Sequence, residues 1–286
     1  MSARAIAAPT APNRGAPPVA LLRVDAGLRS AIPPEERAFA ERVVIVPRRE
    51  LEPGPWSPAT SADDSAHPFG VVLLDGIVTH AVTLAGRCNA ELFGPGDIVR
   101  PWSTPESVLP CTARWTTSGA TIAVIDERFR IAARRWPGLS TAIQERLAEQ
   151  AERAAVRTAI VALPRVGQRV LAVFWQLAER WGVVRPDGVV IRLALTHSVI
   201  GQLVGAQRPT VSLALQDLAD DGLLRRTGRS TWLLSHASLD LLAGNDETVR
   251  PGIDPSVHDG ATTLDPAAPR PHPSGELVPV DSHAHG

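Results

Sequence analysis

Arg208, Pro209, Ser212, Leu213 and Gln216 stand at i, i+1, i+4, i+5 and i+8, which places them on one face of a helix. A few residues later Arg225, Arg226 and Arg229 cluster within "LLRRTGRSTWLL". A helix face that offers donors to a groove, beside a basic hairpin that offers donors to phosphates, has the chemistry of a DNA-gripping unit. The competing reading is a small helical core with a charged rim.

The elements that must position these side chains are legible in the same stretch. Thr196 can cap a first helix whose Ile200, Leu203 and Val204 face one way. Gly205 allows the left-handed conformation that ends it. Pro209 suits a first helical turn. Val211, Leu215 and Leu218, at i, i+4 and i+7, point the second helix into a core, and Gly222 stops it. So short a turn forces a wide crossing angle and leaves the second helix free for a major groove. The wing is expected as strand, Thr227-Gly228 turn and strand. Cap, turn glycine, in-turn proline, core period and basic wing in this order favour DNA binding over the bland core.

Charge supports that reading once it is split by region. The whole chain is formally −1. Residues 165–242 carry nine Arg against six acids, a net of +3, and residues 243–286 carry two Arg against seven acids, a net of −5. An acidic tail thus hides a basic domain. No apolar run reaches the length of a membrane span, and residues 1–20 lack the apolar core of a secretory signal, so a cytoplasmic protein is expected. Two cysteines, Cys88 and Cys111, make neither a disulfide framework nor a metal cluster.

Upstream, strand-like runs at Val43–Pro47, Val71–Leu74, Ile77–Leu84, Cys88–Phe93 and Thr121–Asp126 are separated by turn residues such as Asp75-Gly76 and Ala85-Gly86-Arg87. They predict a sandwich or barrel. Leu139–Leu163 reads as one long helix, with Ser140 as its cap and Pro164 as its stop. Leu147, Ala151, Ala154, Thr158 and Val161 step along it by fours and threes, a seam of mostly small residues suited to pairing with a second copy. Arg165–Gly182 is a further helix, with Val170, Phe174 and Leu177 inward and Gly182 as a left-handed stop. The expected class is α+β. A disordered arm (1–20) and a β jelly-roll sensor-like domain (21–137) precede a dimerisation helix (138–164). A winged helix-turn-helix (165–242) and a disordered acidic tail (243–286) follow.

Thr196, Ile200, Gly201, Gly205, Arg208, Thr210, Val211, Ser212, Leu215 and Leu218 resemble the helix-turn-helix motif of the cyclic-AMP receptor protein/fumarate-nitrate regulator superfamily. The order of β-domain, long helix and winged helix-turn-helix matches as well, from about Val19 to Leu242. The resemblance implies a cyclic-nucleotide-binding-type jelly roll and a transcriptional regulator, not an enzyme. Its implied partners are double-stranded DNA, a second copy of the chain and RNA polymerase. It implies phosphate contacts from Thr196, His197, Gln207 and Thr210, and base reading by Arg208, with Ser212, Leu213 and Gln216 on the same face. Two positions depart from the motif: a base-reading Glu is Pro209 here, and a second reading Arg is Leu213. A different operator is therefore expected, with Leu213 against a thymine methyl.

In nucleotide-binding members a Gly-Glu pair and, about ten residues on, an Arg hold the ribose and the cyclic phosphate. This chain reads "IVRPWSTPESVLPCTARW", with Pro101 near the Glu position and Pro110-Cys111 in place of the Arg. Cyclic-AMP binding is not expected, no cofactor is predicted, and Arg100, Trp102, Cys111 and Arg114 remain as an effector-pocket guess. An iron–sulfur sensor needs about four cysteines. Haem on His80, His67, Cys88 or Cys111, a redox pair of the two cysteines, a protein-binding adaptor and a cupin-like metal enzyme are the alternatives. No clustered His/Glu ligands support the last.

Overall fold

The computed structural model describes residues 16–56, 69–102 and 108–243. The rest of the expected arm, the tail beyond 243 with its four histidines, and His67 lie outside the described residues.

Ala16–Ala20 (β1) opens the described chain and pairs antiparallel with Ile45–Leu51 (β2). Residues 16–20, read as part of a disordered arm, are therefore a strand, because Val19 packs on the apolar cluster beneath it. Between β1 and β2 lie three short helices that the sequence reading missed: Leu21–Val24 (α1), Ala26–Ser30 (α2) and Arg37–Val43 (α3). Leu21, Leu22, Leu28 and Ile32 are nearly fully buried there. Val43, expected at the start of a strand, instead closes α3.

Gly54–Trp56 (β3), Gly70–Leu84 (β4), Arg87–Phe93 (β5), Ile98–Val99 (β6) and Cys111–Ile125 (β7) complete the first sheet. Its order is β1-β2-β7-β4-β5, with β3 on β7 and β6 on β4. The two runs expected on either side of Asp75-Gly76 are one strand. Gly76 sits at φ +80 and forms a bulge pressed on β7, where a Cβ would meet the Gly119 carbonyl oxygen at 2.2 Å. Pairing with β7 resumes beyond it. The real reversal is at Ala85-Gly86, both at positive φ, a two-residue hairpin closed by Leu84 opposite Arg87.

One face of this sheet carries Val72, Ala123 and Ile125 against α1–α3 and the helices that follow. The other is the domain interior, filled by Val71, Leu73, Val78, Phe93, Ile122 and Val124 with Trp56, Trp102 and Trp115 packed on them. A row crosses four strands in register: Trp56, Trp115, His80 and Glu91. The His80 ring stacks on Trp115 at 4.1 Å, Trp56 meets it edge-on at 5.9 Å, and Phe93 closes the cluster at 5.7 Å.

Burial pushes the His80 imidazole below its ordinary value. With a depressed folded value, the unfolded chain takes the proton first as pH falls. Stability present above about pH 6.5 is therefore lost on acidification below it. Denaturation midpoints measured from pH 7.5 to 5 should fall in wild type and fall less in His80→Phe; equal slopes would remove His80 as the cause.

Glu127–Arg135 (α4) follows, capped by Asp126, which accepts from Arg128 N and Phe129 N. Pro137–Ala162 (α5) is the long helix, and Val166–Trp181 (α6) opens the C-terminal part. α5 begins two residues earlier than expected, with Pro137 in its first turn, and Ser140 is not its cap. Gly182 is the C-cap of α6, but in extended rather than left-handed conformation. Glycine is needed there because a Cβ would meet the Ala178 carbonyl oxygen at 2.4 Å.

The remaining elements are Gly182–Arg185 (β8), Gly188–Arg192 (β9), His197–Val204 (α7), Arg208–Asp220 (α8), Leu224–Gly228 (β10), Thr231–Leu234 (β11) and Ala237–Ala243 (α9). The last four strands form a sheet in the order β10-β11-β9-β8. Its first hairpin, β8–β9, was not foreseen. The apolar core of this part does not stop at its own edge: Ala90 and Leu92 of β5 and Ile160 of α5 are buried among Phe174, Ile191, Leu203, Val211 and Trp232. No described helix is long and apolar enough to cross a membrane.

Candidate nucleic-acid interface

α7 and α8 are set by the local signals named above. Thr196 accepts a hydrogen bond from Val199 N at 3.2 Å and caps α7. Gly205 ends the helix at φ +65, and Pro209 lies in the first turn of α8. Ile200, Leu203, Val204 and Val211 are fully buried, Leu215 and Leu218 nearly so. Gln207, Arg208, Pro209, Thr210, Leu213 and Gln216 are left exposed, and Leu213 shows 64% of its surface to solvent. Such exposure of a large apolar side chain on a face with no core behind it needs a partner or a reason.

Ser212 differs from its neighbours. Its hydroxyl lies 2.8 Å from His197 Nδ1 and donates to the Arg208 carbonyl oxygen at 3.0 Å, so it joins α7 to α8 rather than standing free. The wing also divides. Gly228 pairs with Thr231, so the reversal is Arg229-Ser230, later than the expected Thr227-Gly228. Arg226 folds back: its guanidinium donates to the Gly228 and Arg229 carbonyl oxygens and lies over the Trp232 ring. It stiffens the wing, while Arg225 and Arg229 stay exposed. Trp232 anchors the wing on Phe174 at 5.0 Å. The cap, helix face and outer wing residues thus share one surface plan, with Ser212 and Arg226 serving it from within.

The α5 seam is only partly open. Leu147, Ala151 and Thr158 are exposed, while Ala154 and Val161 are half-buried. Val161 packs towards Gly205, 3.2 Å from where a Cβ would stand. The helix side turned to its own chain is polar, and the sequence reading missed it. Arg146 pairs with both oxygens of Asp25, and that bond holds its guanidinium above the ordinary value. Gln150 accepts from Ile98 N and donates to Ile98 O, each at 3.0 Å. Arg153 reaches Asp97 at 2.6 Å, and the buried Arg157 donates to the Ala90 carbonyl oxygen at 2.8 Å. Burial lowers Arg157, with Glu91 opposing, and burial raises Glu91. Spacings of four, three and four from 146 to 157 were the available signal.

Asp97 is the meeting point of this network. It is 4% exposed, accepts from Gly94 N at 2.8 Å, and binds Arg180 of α6 at 2.5 Å as well as Arg153. The ring of Trp181 covers Gly94, where a Cβ would lie 2.5 Å from it.

The four residues of the guessed effector pocket do not converge. Trp102 packs on the interior cluster, and register puts Cys111 on the Trp115 face. Arg114 is on the opposite face, and Arg100 and Arg114 are both exposed. Cys88 pairs with Thr83 and Cys111 with Leu84 on the two strands flanking β4. Two strand spacings, about 10 Å, and opposite faces are beyond disulfide reach. No group of three or more potential metal ligands is present among the described residues.

Residues 168–242 match the family model of the Crp-like helix-turn-helix domain. The chain thus carries a Crp-like helix-turn-helix domain. Over 150 residues it is 33% identical to the CRP-like cAMP-activated global transcriptional regulator of Mycobacterium tuberculosis, covering 51% of this chain and 66% of that one. It therefore spans just under two thirds of that relative's length. In fold, the chain is similar to a CooA variant from Carboxydothermus hydrogenoformans (TM-score 0.53, 20% identity, 69% of this chain and 86% of that chain). It is similar also to FixK2 from Bradyrhizobium japonicum (TM-score 0.53, 16% identity, 71% and 98%). The α+β class, with an antiparallel β-domain, a long helix and a winged helix-turn-helix, is thus the fold shared with these two structures.

Proposed function

We propose that the protein is a sequence-specific DNA-binding transcriptional regulator that works as a homodimer on a two-fold operator. The observation that carries this is the solvent face of α8 with the wing beside it. Arg208, Leu213 and Gln216 are exposed on a helix whose other side is buried, and Arg225 and Arg229 flank it. In this reading Thr196, His197, Gln207, Thr210, Arg225 and Arg229 position the duplex backbone. Arg208, Leu213 and Gln216 read bases, Ser212 supports them, and Arg226 supports the wing. Leu147, Ala151 and Thr158 are the part of the α5 seam open to a second copy, and pairing through them sets two α8 helices one DNA turn apart, roughly 34–36 Å. RNA polymerase is the further partner proposed, in the cytoplasm.

The curated relative is described as cAMP-activated. We do not carry that effector over, because Arg114 points away from the interior and aromatic rings fill the space beside Phe93 and Trp115.

Selection of full-length protein on random duplexes tests the reading. Expected is an inverted repeat that differs from the half-site a Glu and an Arg would read at positions 209 and 213. Leu213→Arg should shift the preferred half-site at one position. Recovery of no enriched sequence would sink the proposal, and a half-site unchanged by Leu213→Arg would remove Leu213 from the reading face.

A further inference from the structure

We infer that His197 grips the DNA backbone only as an imidazolium, so that each protomer takes up a proton when it binds. The inference rests on the DNA-binding reading above and adds a proton to it.

Its basis is the direction of two hydrogen bonds. His197 is the first residue of α7 and half-buried. Its Nδ1 is 2.8 Å from the Ser212 Oγ, and that Oγ is 3.0 Å from the Arg208 carbonyl oxygen. A carbonyl can only accept, and a hydroxyl has one proton to give. Both contacts are hydrogen bonds at once only when Ser212 donates to Arg208 O and accepts from His197, the arrangement that puts the imidazole proton on Nδ1. The neutral ring then has a bare lone pair at Nε2, for which no hydrogen-bond partner is present among the described residues.

The first helix of a helix-turn-helix crosses the DNA backbone, and helix N-termini commonly meet phosphates. A phosphodiester oxygen is anionic and accepts only. Facing it, a neutral Nε2 is a second acceptor and repels; a protonated Nε2 donates a charge-assisted bond. Ser212 thus locks the tautomer that cannot bind phosphate until a second proton arrives. Histidine is the side chain whose ordinary titration spans pH 5 to 8.

The charged groups around it do not supply that proton. α7 carries no other ionisable side chain. α8 contributes Arg208, Asp217 and Asp220, α6 contributes Arg169, Glu179 and Arg180, and β5 contributes Arg87, Cys88 and Glu91. The arginines keep their charge throughout the range. Glu91, which burial raises, lies in the Arg157 cluster of the β-domain. His236 sits by the Arg185 carbonyl oxygen at the far hairpin.

The test measures affinity of the full-length protein for its selected operator between pH 8 and 6 at constant salt. Proton uptake is read calorimetrically in buffers of different ionisation enthalpy. Wild type should gain about tenfold per half-site over that range, with net proton uptake on binding. His197→Arg should bind at pH 8 as wild type binds at pH 6, with a flat profile. His197→Gln should be weak and flat. Ser212→Ala frees the tautomer and should raise affinity at pH 8 while flattening the slope, which a purely structural role for Ser212 would not do. Operator binding that is independent of pH in wild type, or a slope that survives in His197→Arg, overturns the inference and leaves the DNA reading standing. Absence of operator binding at every pH overturns the DNA reading itself.

Discussion

Asp97→Ala should lower the stability of the full-length protein by about 3 kcal/mol, the lower part of the range for breaking a buried ion pair. The carboxylate is nearly inaccessible and holds two guanidiniums from different helices, Arg153 at 2.6 Å and Arg180 at 2.5 Å. Removing it strands both, together with the Gly94 N–H that it caps. The lower part of the range applies because Arg153 and Arg180 keep 24% and 18% of their side-chain surface in solvent. Asp97→Asn retains an acceptor for Gly94 and should cost less. Glu127→Ala breaks the exposed i,i+3 pair with Arg130, so its cost should stay near the small values of surface bridges. Denaturant unfolding of the three variants checks the ranking. An Asp97→Ala cost no larger than that of Glu127→Ala would show that the network does not hold these elements together.

Arg208→Ala should weaken binding to the selected operator by about 1–3 kcal/mol and relax preference at one base, while leaving unfolding unchanged. Arg208 is in the first turn of α8, exposed, so its removal leaves no cavity. Arg229→Ala should act differently. As a wing-tip cation outside the helix it should weaken binding to all duplexes alike and reduce the salt slope by about one. Titrations on operator and scrambled duplexes at several salt concentrations separate the two patterns. Equal losses on both duplexes for Arg208→Ala would make it a backbone contact instead of a base reader.

The helix-turn-helix was legible because its determinants are local. A threonine cap, a left-handed glycine and an i, i+4, i+7 stripe lie within two turns of the residues they position. What escaped was decided by distant partners. α1–α3 span four to seven residues each, too few for a helical period to declare itself, and they are held by Phe129, Trp136 and Leu139 from a hundred residues on. Gly76 has the signature of a turn and becomes a bulge only because β7 lies alongside. Arg225, Arg226 and Arg229 are identical as letters; the Trp232 ring beneath Arg226 separates them. The polar stripe of α5 adjoins the small-residue seam, and sequence alone could not say which faced inward.

The sharing of β5 with the C-terminal core has a consequence for how this protein can be taken apart. Ala90 and Leu92 complete an apolar interior whose other walls come from α6, α7, α8 and the wing. Cut at the boundary of the matched domain near residue 168, the helix-turn-helix part would carry a raw hydrophobic scar where β5 had been. The chain's unit of folding is larger than its helix-turn-helix unit, and that part is not a portable module.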